Sequence, residues 1–300
     1  PDGSYDYNIT ALNPPGSTYM KTWSDGSGYR ELQFQASVDY TRTFGDHDIN
    51  AMLVYHQRER VDNRPQTSTS NPDLELPALP FRQPGLSGRL TYGYKSKYLM
   101  ELNFGYNGSE NFLSGSRFGF FPSAAVGWVV SRENFFRPLS NIVSLLKLRF
   151  SLGESGNDEL AMRFPYNSYM AMDQALNVYF GNNYSRQYGP LISTLGDPSA
   201  TWETSRKFNA GMDLSFWDNS LNIILDVYSE TRSGIFMQRV SLPSSMGMTG
   251  ISPYANIGKV RNSGIDGSLE YNRSLGPDLI VSARAPFTYA HNDTPFRDEA

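Results

Sequence analysis

Apolar and polar side chains alternate with a period of two along most of the chain. Leu32, Phe34, Ala36, Val38 and Tyr40 interleave with Gln33, Gln35, Ser37, Asp39 and Thr41. After the short turn "FGDHD", Ile49, Ala51, Leu53 and Tyr55 carry the alternation back. A strand sends successive side chains to opposite faces, so this pattern predicts two-faced strands joined as antiparallel hairpins. Four further pairs follow. Residues 86–94 and 97–107 join through "YKSK", and 120–131 and 144–153 through a longer linker containing "FFRPLSN". Residues 202–217 and 220–232 join through "WDNS", and 258–274 and 278–290 through "LGPD". The expectation is about ten strands. Connections within a pair are short. Those between pairs are long and polar: 59–84, a loop after 107, 153–201 and 233–257.

Charge follows the same alternation. Leu146, Leu148, Phe150 and Leu152 share one parity, while Lys147, Arg149 and Ser151 share the other. Arg89, Glu101, Lys207, Asp213, Asp226 and Glu270 also fall on the polar parity, and the mid-strand apolar parity is nearly free of charge. A soluble antiparallel sheet has this pattern, with core on one side and water on the other. A membrane barrel has it too, with lipid outside and a wet lumen inside. The connections favour the barrel, because transmembrane barrels have short periplasmic turns and long extracellular loops. A sandwich or propeller has no reason to sort its loops so strictly. A cation facing lipid at the midplane costs about 2–4 kcal/mol, which explains the segregation. Ten strands alone would leave two open edges, which cannot stand in lipid. The sheet is therefore expected to be part of a larger closed barrel, with strands before residue 30 and after residue 290.

Composition agrees. Hydrophobic residues are 39% and mean hydropathy is −0.46, yet aromatics reach 14%, with 19 Tyr and 18 Phe. That suits short alternating strands and the aromatic girdles of membrane barrels. A net charge of −4 without a basic run argues against a nucleic-acid binder. The absence of cysteine excludes disulfides, thiolate zinc sites and Cys nucleophiles. No stretch approaches the roughly 18 apolar residues of a transmembrane helix, but a barrel strand needs only about 9–11 alternating residues. The opening "PDGSYDYNIT" has no signal-peptide pattern and no initiating Met, so the chain reads as a piece of a longer one.

Catalytic chemistry has little support. His47, His56 and His291 are widely spaced and form no metal motif, and neither a Gly-x-Ser-x-Gly elbow nor a phosphate loop occurs. The stretch "GESGNDE" offers Glu154, Asp158 and Glu159 to a hard cation, but it matches no calcium-loop spacing and reads as a solvated acidic loop. No catalytic residue, metal or cofactor is expected. The candidate binding residues lie in the loop 153–201: Tyr166, Tyr169, Tyr179, Tyr184 and Tyr188 among Asn167, Asn177, Asn182, Asn183 and Gln187. Aromatic faces stack on sugars, and amides bond both ways to hydroxyls. The plainer reading, that these tyrosines pack the loop on itself or on a partner, outweighs direct substrate contact. In the next loop, "MQRVSLPSSMGMTG" reads as adaptable Met packing.

Several stretches in order resemble one family. "TRTFGDHDINAMLVYHQ" (41–57), "GRLTYGYKSKYLMELNFGYNGSENF" (88–112), "FGFFPSAAVGWVVSRENFF" (118–136), "LLKLRFSLGESGN" (145–157), "WETSRKFNAGMDLSFWDNSLNIILDVYSETRSGIF" (202–236) and "YANIGKVRNSGIDGSLEYN" (254–272) resemble the barrel of the SusC/RagA branch of TonB-dependent outer-membrane transporters. The resemblance covers roughly residues 30–290. Two departures, "YNGSEN" for the family's Asp-Gly-Ser and Asp266 where Glu is usual, leave the alternation intact.

The resemblance implies an all-β fold: an antiparallel transmembrane β-barrel of about 22 strands with a plugged lumen. Residues 1–300 would be part of that barrel, in the outer membrane of a Gram-negative cell. The signal peptide, plug, TonB-contacting segment and final strands would lie outside this chain. It also implies a SusD-like surface lipoprotein as lid, the TonB complex as energy source, and active import of oligosaccharides or peptides. Arg89, Glu101, Lys147, Arg149, Lys207, Asp213, Asp226 and Glu270 would line the lumen, opposite a lipid-facing row. Two other readings stay open: a passive outer-membrane channel or adhesin barrel, and a soluble secreted carbohydrate-binding β-domain.

Overall fold

The computed structural model describes residues 28–63, 79–160, 162–182, 184–241, 245, 251, 253–274, 278–296 and 298. Among these residues twelve strands run in chain order: β1 (Gly28–Phe44), β2 (His47–Asn63), β3 (Phe81–Tyr94), β4 (Tyr98–Gly108), β5 (Phe118–Val129), β6 (Val143–Asn157), β7 (Tyr169–Phe180), β8 (Ser185–Thr194), β9 (Glu203–Phe216), β10 (Leu221–Gln238), β11 (Tyr254–Ser274) and β12 (Ile280–Phe296). Ten of them form one antiparallel sheet in the order β1-β2-β3-β4-β5-β6-β9-β10-β11-β12. The five expected hairpins are all present in it. The other two, β7 and β8, pair only with each other.

The expected strand bounds are too short at the long-loop end. β6 continues to Asn157, β10 to Gln238 and β12 to Phe296. On β6 and β12 these ends carry polar residues on both faces, and on β10 the register shifts between Ser233 and Phe236, so the period-two signal fades although the hydrogen-bonded ladder continues. The stretch 153–201, read as a loop, contains the β7–β8 hairpin. Its register shifts between Ala171 and Leu176, and a broken register blurs alternation. Part of the polar segment 59–84 lies outside the described residues.

The turns at the other end use left-handed backbone. Gly45 has φ 59°, and Lys95 and Ser96 have φ 52° and 50°. Trp217, Asp218 and Asn219 lie at 48°, 52° and 67°, a conformation unfavourable for a bulky indole. The β5–β6 connection is different in kind. It contains two 3₁₀ stretches, Val130–Arg132 and Asn134–Leu139.

Burial is inverted relative to a water-soluble sheet. Val38, Phe120, Val126, Phe150, Leu152 and Val227 are exposed, whereas the small aromatic core of Phe112, Phe121 and Trp202 sits at the long-loop end.

Candidate functional site

Cross-strand partners share a face, so the register sorts the side chains into transverse rows. One row runs Arg89, Asn103, Ser123, Gly153, Lys207, Glu230, Asn262 and Asn292. Two rows nearer the short turns, on the same face, run Gly127, Arg149, Gly211, Asp226, Asp266 and Thr288. Glu101 falls on the row between, Lys147 opposite Asp213 one row below, and Glu270 opposite Asn222 and Arg284 below that. All eight charged residues expected to lie together are thus on one face of the sheet. That face is hollow: a pocket of about 520 Å³ opens on it, lined by Asn50, Thr91, Glu101, Lys147, Arg149 and Ser151 among others. A smaller one of about 200 Å³ lies among Glu230, Arg232, Asn262 and Asn292.

Several of these charges are engaged with each other. Arg149 donates to Asp213 Oδ1 from Nε and Nη2 at 3.1 and 2.8 Å, and from Nη2 to Asp226 Oδ2 at 3.0 Å. Gly211 stands in register between Arg149 and Asp226, and a Cβ there would collide with both. Arg89 donates to Glu101 at 2.8 Å, and Asn103 Nδ2 donates to the other oxygen of the same carboxylate at 2.9 Å. The Lys207 ammonium sits 5.3 Å from the Tyr228 ring centre. Lys147 forms no ion pair among the described residues.

The opposite face carries Tyr98, Trp128, Leu148, Met212, Leu225 and Phe287 in one row and Met100, Val126, Phe150, Ala210, Val227 and Ile265 in the next. Toward the long-loop end its first charges on β6 and β9 are Glu154 and Arg206, which pair at 3.0 Å. From Phe208 to Phe216 the strand spans roughly 26 Å at about 3.3 Å per residue. Tilted by about 40°, this becomes roughly 20 Å of bilayer normal, close to the apolar band of about 25 Å on outer-membrane barrels.

At the long-loop end the chain is pinned by groups the alternation could not reveal. Trp202 Nε1 donates to the Ser116 carbonyl at 3.1 Å. Glu203 is buried and accepts from the Phe236 N–H and from Asn157, both at 3.0 Å. Asn256 Nδ2 donates to the Thr201 and Gly234 carbonyls at 2.9 and 2.7 Å. Arg163 donates to the Leu79 and Pro80 carbonyls and lies over the Phe81 and Phe164 rings. Burial raises the Glu110 carboxyl above its ordinary range although Arg163 is 3.8 Å away. The acidic loop is engaged in protein contacts: Asp158 accepts from Gln83, and Glu154 pairs with Arg206.

The candidate binding tyrosines are not gathered into one site. Tyr179 and Tyr184 are 57% and 78% exposed near the hairpin tip, with Asn182 exposed in the turn between their strands. Tyr166 and Tyr169 are half-buried, and Tyr166 packs edge-on against Phe164. Tyr188 pairs through its backbone with Asn177, and its side chain lies outside the described residues, as does Asn183 altogether.

Comparison with known proteins gives one answer throughout. The family described as "TonB dependent receptor-like, beta-barrel" matches residues 1–300. TonB-dependent receptor P3 of Formosa agariphila is 26% identical over 97% of this chain and 28% of its own. TonB-dependent receptor SusC of Bacteroides thetaiotaomicron is 26% identical over 93% of this chain and 28% of its own. The chain therefore spans just over a quarter of the length of these relatives. Among solved structures, the RagAB peptide transporter superposes with a TM-score of 0.68 over 89% of this chain and 30% of its own, and its 22% identity supports the shared fold alone.

Proposed function

The chain belongs to the TonB dependent receptor-like β-barrel family, and from that membership we propose that it forms part of the wall of an outer-membrane importer for oligosaccharides or peptides. The soluble β-domain reading gives way, because family members are outer-membrane barrels and not secreted modules. The observation that carries the proposal is the two-sided sheet: a hollow, charge-paired polar face backs an apolar face free of charge across the bilayer span. Arg89, Glu101, Lys147, Arg149, Lys207, Asp213, Asp226 and Glu270 then line the lumen. The β7–β8 hairpin stands at the outer mouth, where Tyr179, Tyr184 and Asn182 are exposed to an arriving substrate or to a SusD-like lipoprotein lid. TonB would supply the energy through a segment of the full-length protein other than this one.

Oligosaccharides are favoured by the exposed Tyr and Asn of the hairpin, and peptides are the other class that the family resemblance implies. The test is uptake by cells carrying the full-length protein. Labelled oligosaccharides and labelled peptides of matched size are offered with and without a functional TonB. TonB-dependent entry of either class supports the proposal and names the substrate. Entry that is equal in both strains would make the barrel a passive channel.

A further inference from the structure

The β5–β6 connection, residues 130–142, is the exception among the described turns at its end of the sheet. Its neighbours are tight turns at 45–46, 95–97 and 217–220. This one is longer and firmly held. Val130 and Phe136 are buried. Glu133 accepts from Tyr98 Oη at 2.8 Å, Lys97 Nζ at 3.1 Å and Trp128 Nε1 at 3.3 Å. Arg132 donates to the Ser96 carbonyl at 3.0 Å, and the Trp217 N–H donates to the Ile142 carbonyl at 3.0 Å. Tyr98 and Trp128 belong to the apolar face, so the connection folds against the lipid side of the rim and not under the lumen.

A segment so well anchored still leaves large apolar side chains outside. Phe135 is 67% exposed, Trp217 56%, Ile142 53% and Leu139 51%. They adjoin the apolar face, where Trp217 packs against Phe216 with ring centres 5.8 Å apart. Basic charge accompanies them: residues 95–97 and 130–142 contain Lys95, Lys97, Arg132 and Arg137 against the single acid Glu133, and the adjoining turn adds Asp218. Lys97 is engaged with Glu133 and Lys95 with Asp46. Arg132 and Arg137 face no carboxylate among the described residues. Outer-membrane barrels carry short turns on the periplasmic side, so this patch lies level with the headgroups of the periplasmic leaflet. Aromatic and aliphatic groups partition at that boundary, and guanidinium groups pair bidentately with phosphate.

We propose that residues 130–142 are a lipid-binding foot: Phe135, Leu139 and Ile142 enter the headgroup–acyl boundary of the periplasmic leaflet, and Arg132 and Arg137 hold the phosphate of an anionic phospholipid. This goes beyond a girdle of strand aromatics, because the foot is a separate element with its own charge preference.

The test uses the full-length protein in liposomes, with an environment-sensitive dye on Cys in Phe135→Cys and, independently, in Leu139→Cys. The 300 residues contain no native cysteine to compete for the dye. The foot predicts several-fold stronger quenching by a nitroxide on the lipid headgroup than by the neutral aqueous quencher acrylamide. It also predicts further protection from acrylamide when phosphatidylglycerol is added to phosphatidylcholine. Adding Arg137→Gln should remove at least half of that gain while leaving the quenching in phosphatidylcholine unchanged. Free access of acrylamide at both labels would overturn the proposal. So would shielding from both quenchers, which would mean that protein covers the patch, or indifference to phosphatidylglycerol.

Discussion

A single guanidinium holds together much of the negative charge on the polar face. Arg149 bridges Asp213 and Asp226, and Asp266 stands in register opposite Asp226. Removing the cation leaves carboxylates side by side, which is unfavourable even in a wet lumen. Hydrogen bonds to charged groups contribute about 1.5–3 kcal/mol. Because the Arg149 side chain is 34% exposed, screening brings the expected cost of Arg149→Met down to about 1–2 kcal/mol. Thermal unfolding of the full-length protein in detergent should show this loss, and adding Asp226→Asn should recover part of it. Full additivity of the two substitutions would contradict the bridge. Glu133 gives a pH dependence of known sign. Its carboxyl is held below the ordinary value of 4.5 by the hydrogen bond from Tyr98, then by those from Lys97 and Trp128. A depressed folded pKa stabilises above the unfolded value, and the contribution is lost as pH falls through the folded one. Protection of the amides in residues 130–142, taken relative to their intrinsic exchange rates at each pH, should therefore fall below pH 4.5 in the wild type. Glu133→Gln should show lower protection already at neutral pH and little further loss on acidification.

Alternation along one strand becomes a membrane preference only when neighbouring strands repeat it in register. Phe150 shares its row with Met100, Val126, Ala210, Val227 and Ile265, none of them charged. Ser151, one residue on, faces the hollow side beside Asn209. Phe150→Arg should cost about 2–4 kcal/mol near the midplane, and Ser151→Arg much less. Comparing folding into liposomes for the two variants checks it, and equal losses would mean that the faces are misassigned. This sidedness was legible in the sequence because lipid and water enforce opposite chemistry at alternate positions. The eight polar-parity charges and the five hairpins were found on that basis alone. What escaped is what no period marks. The outer ends of β6 and β12 are polar on both faces, the register of β10 shifts between Ser233 and Phe236, and the β7–β8 hairpin has an interrupted register. Pairings such as Glu203 with Asn157 and the Phe236 N–H join residues far apart in sequence. The scattered tyrosines show the same limit: composition can name a chemistry for a loop without placing its side chains in one site.

At the scale of the whole molecule the sheet is open among the described residues. There β1 and β12 each have one neighbour and are exposed along their whole length, so their outer ladders need partners before lipid can surround them. Residues 1–300 produced alone should therefore stay insoluble without detergent, and a stable monomer in buffer would contradict the wall assignment. The hairpin behaves differently. β6 pairs directly with β9 in unbroken register from Leu145 to Asn157, so β7 and β8 are an insertion that the wall does not use. Replacing 169–194 by a short Gly-Ser link in the full-length protein should leave its outer-membrane level and its resistance to SDS unchanged. Loop closure adds little cost, since the ends of the link are already fixed by the sheet. Substrate capture should fall. Tyr179→Ala and Tyr184→Ala, each removing an exposed ring, should weaken binding about tenfold, the worth of one aromatic contact near 1.4 kcal/mol. The two readings of the hairpin then separate by what is lost. If the tyrosines hold substrate, equilibrium binding to the barrel without its lid drops in both variants. If they hold the lipoprotein, binding to the isolated barrel stays at the wild-type level and co-purification of the lid falls instead. Unchanged binding together with unchanged lid recovery would remove the hairpin from the functional site.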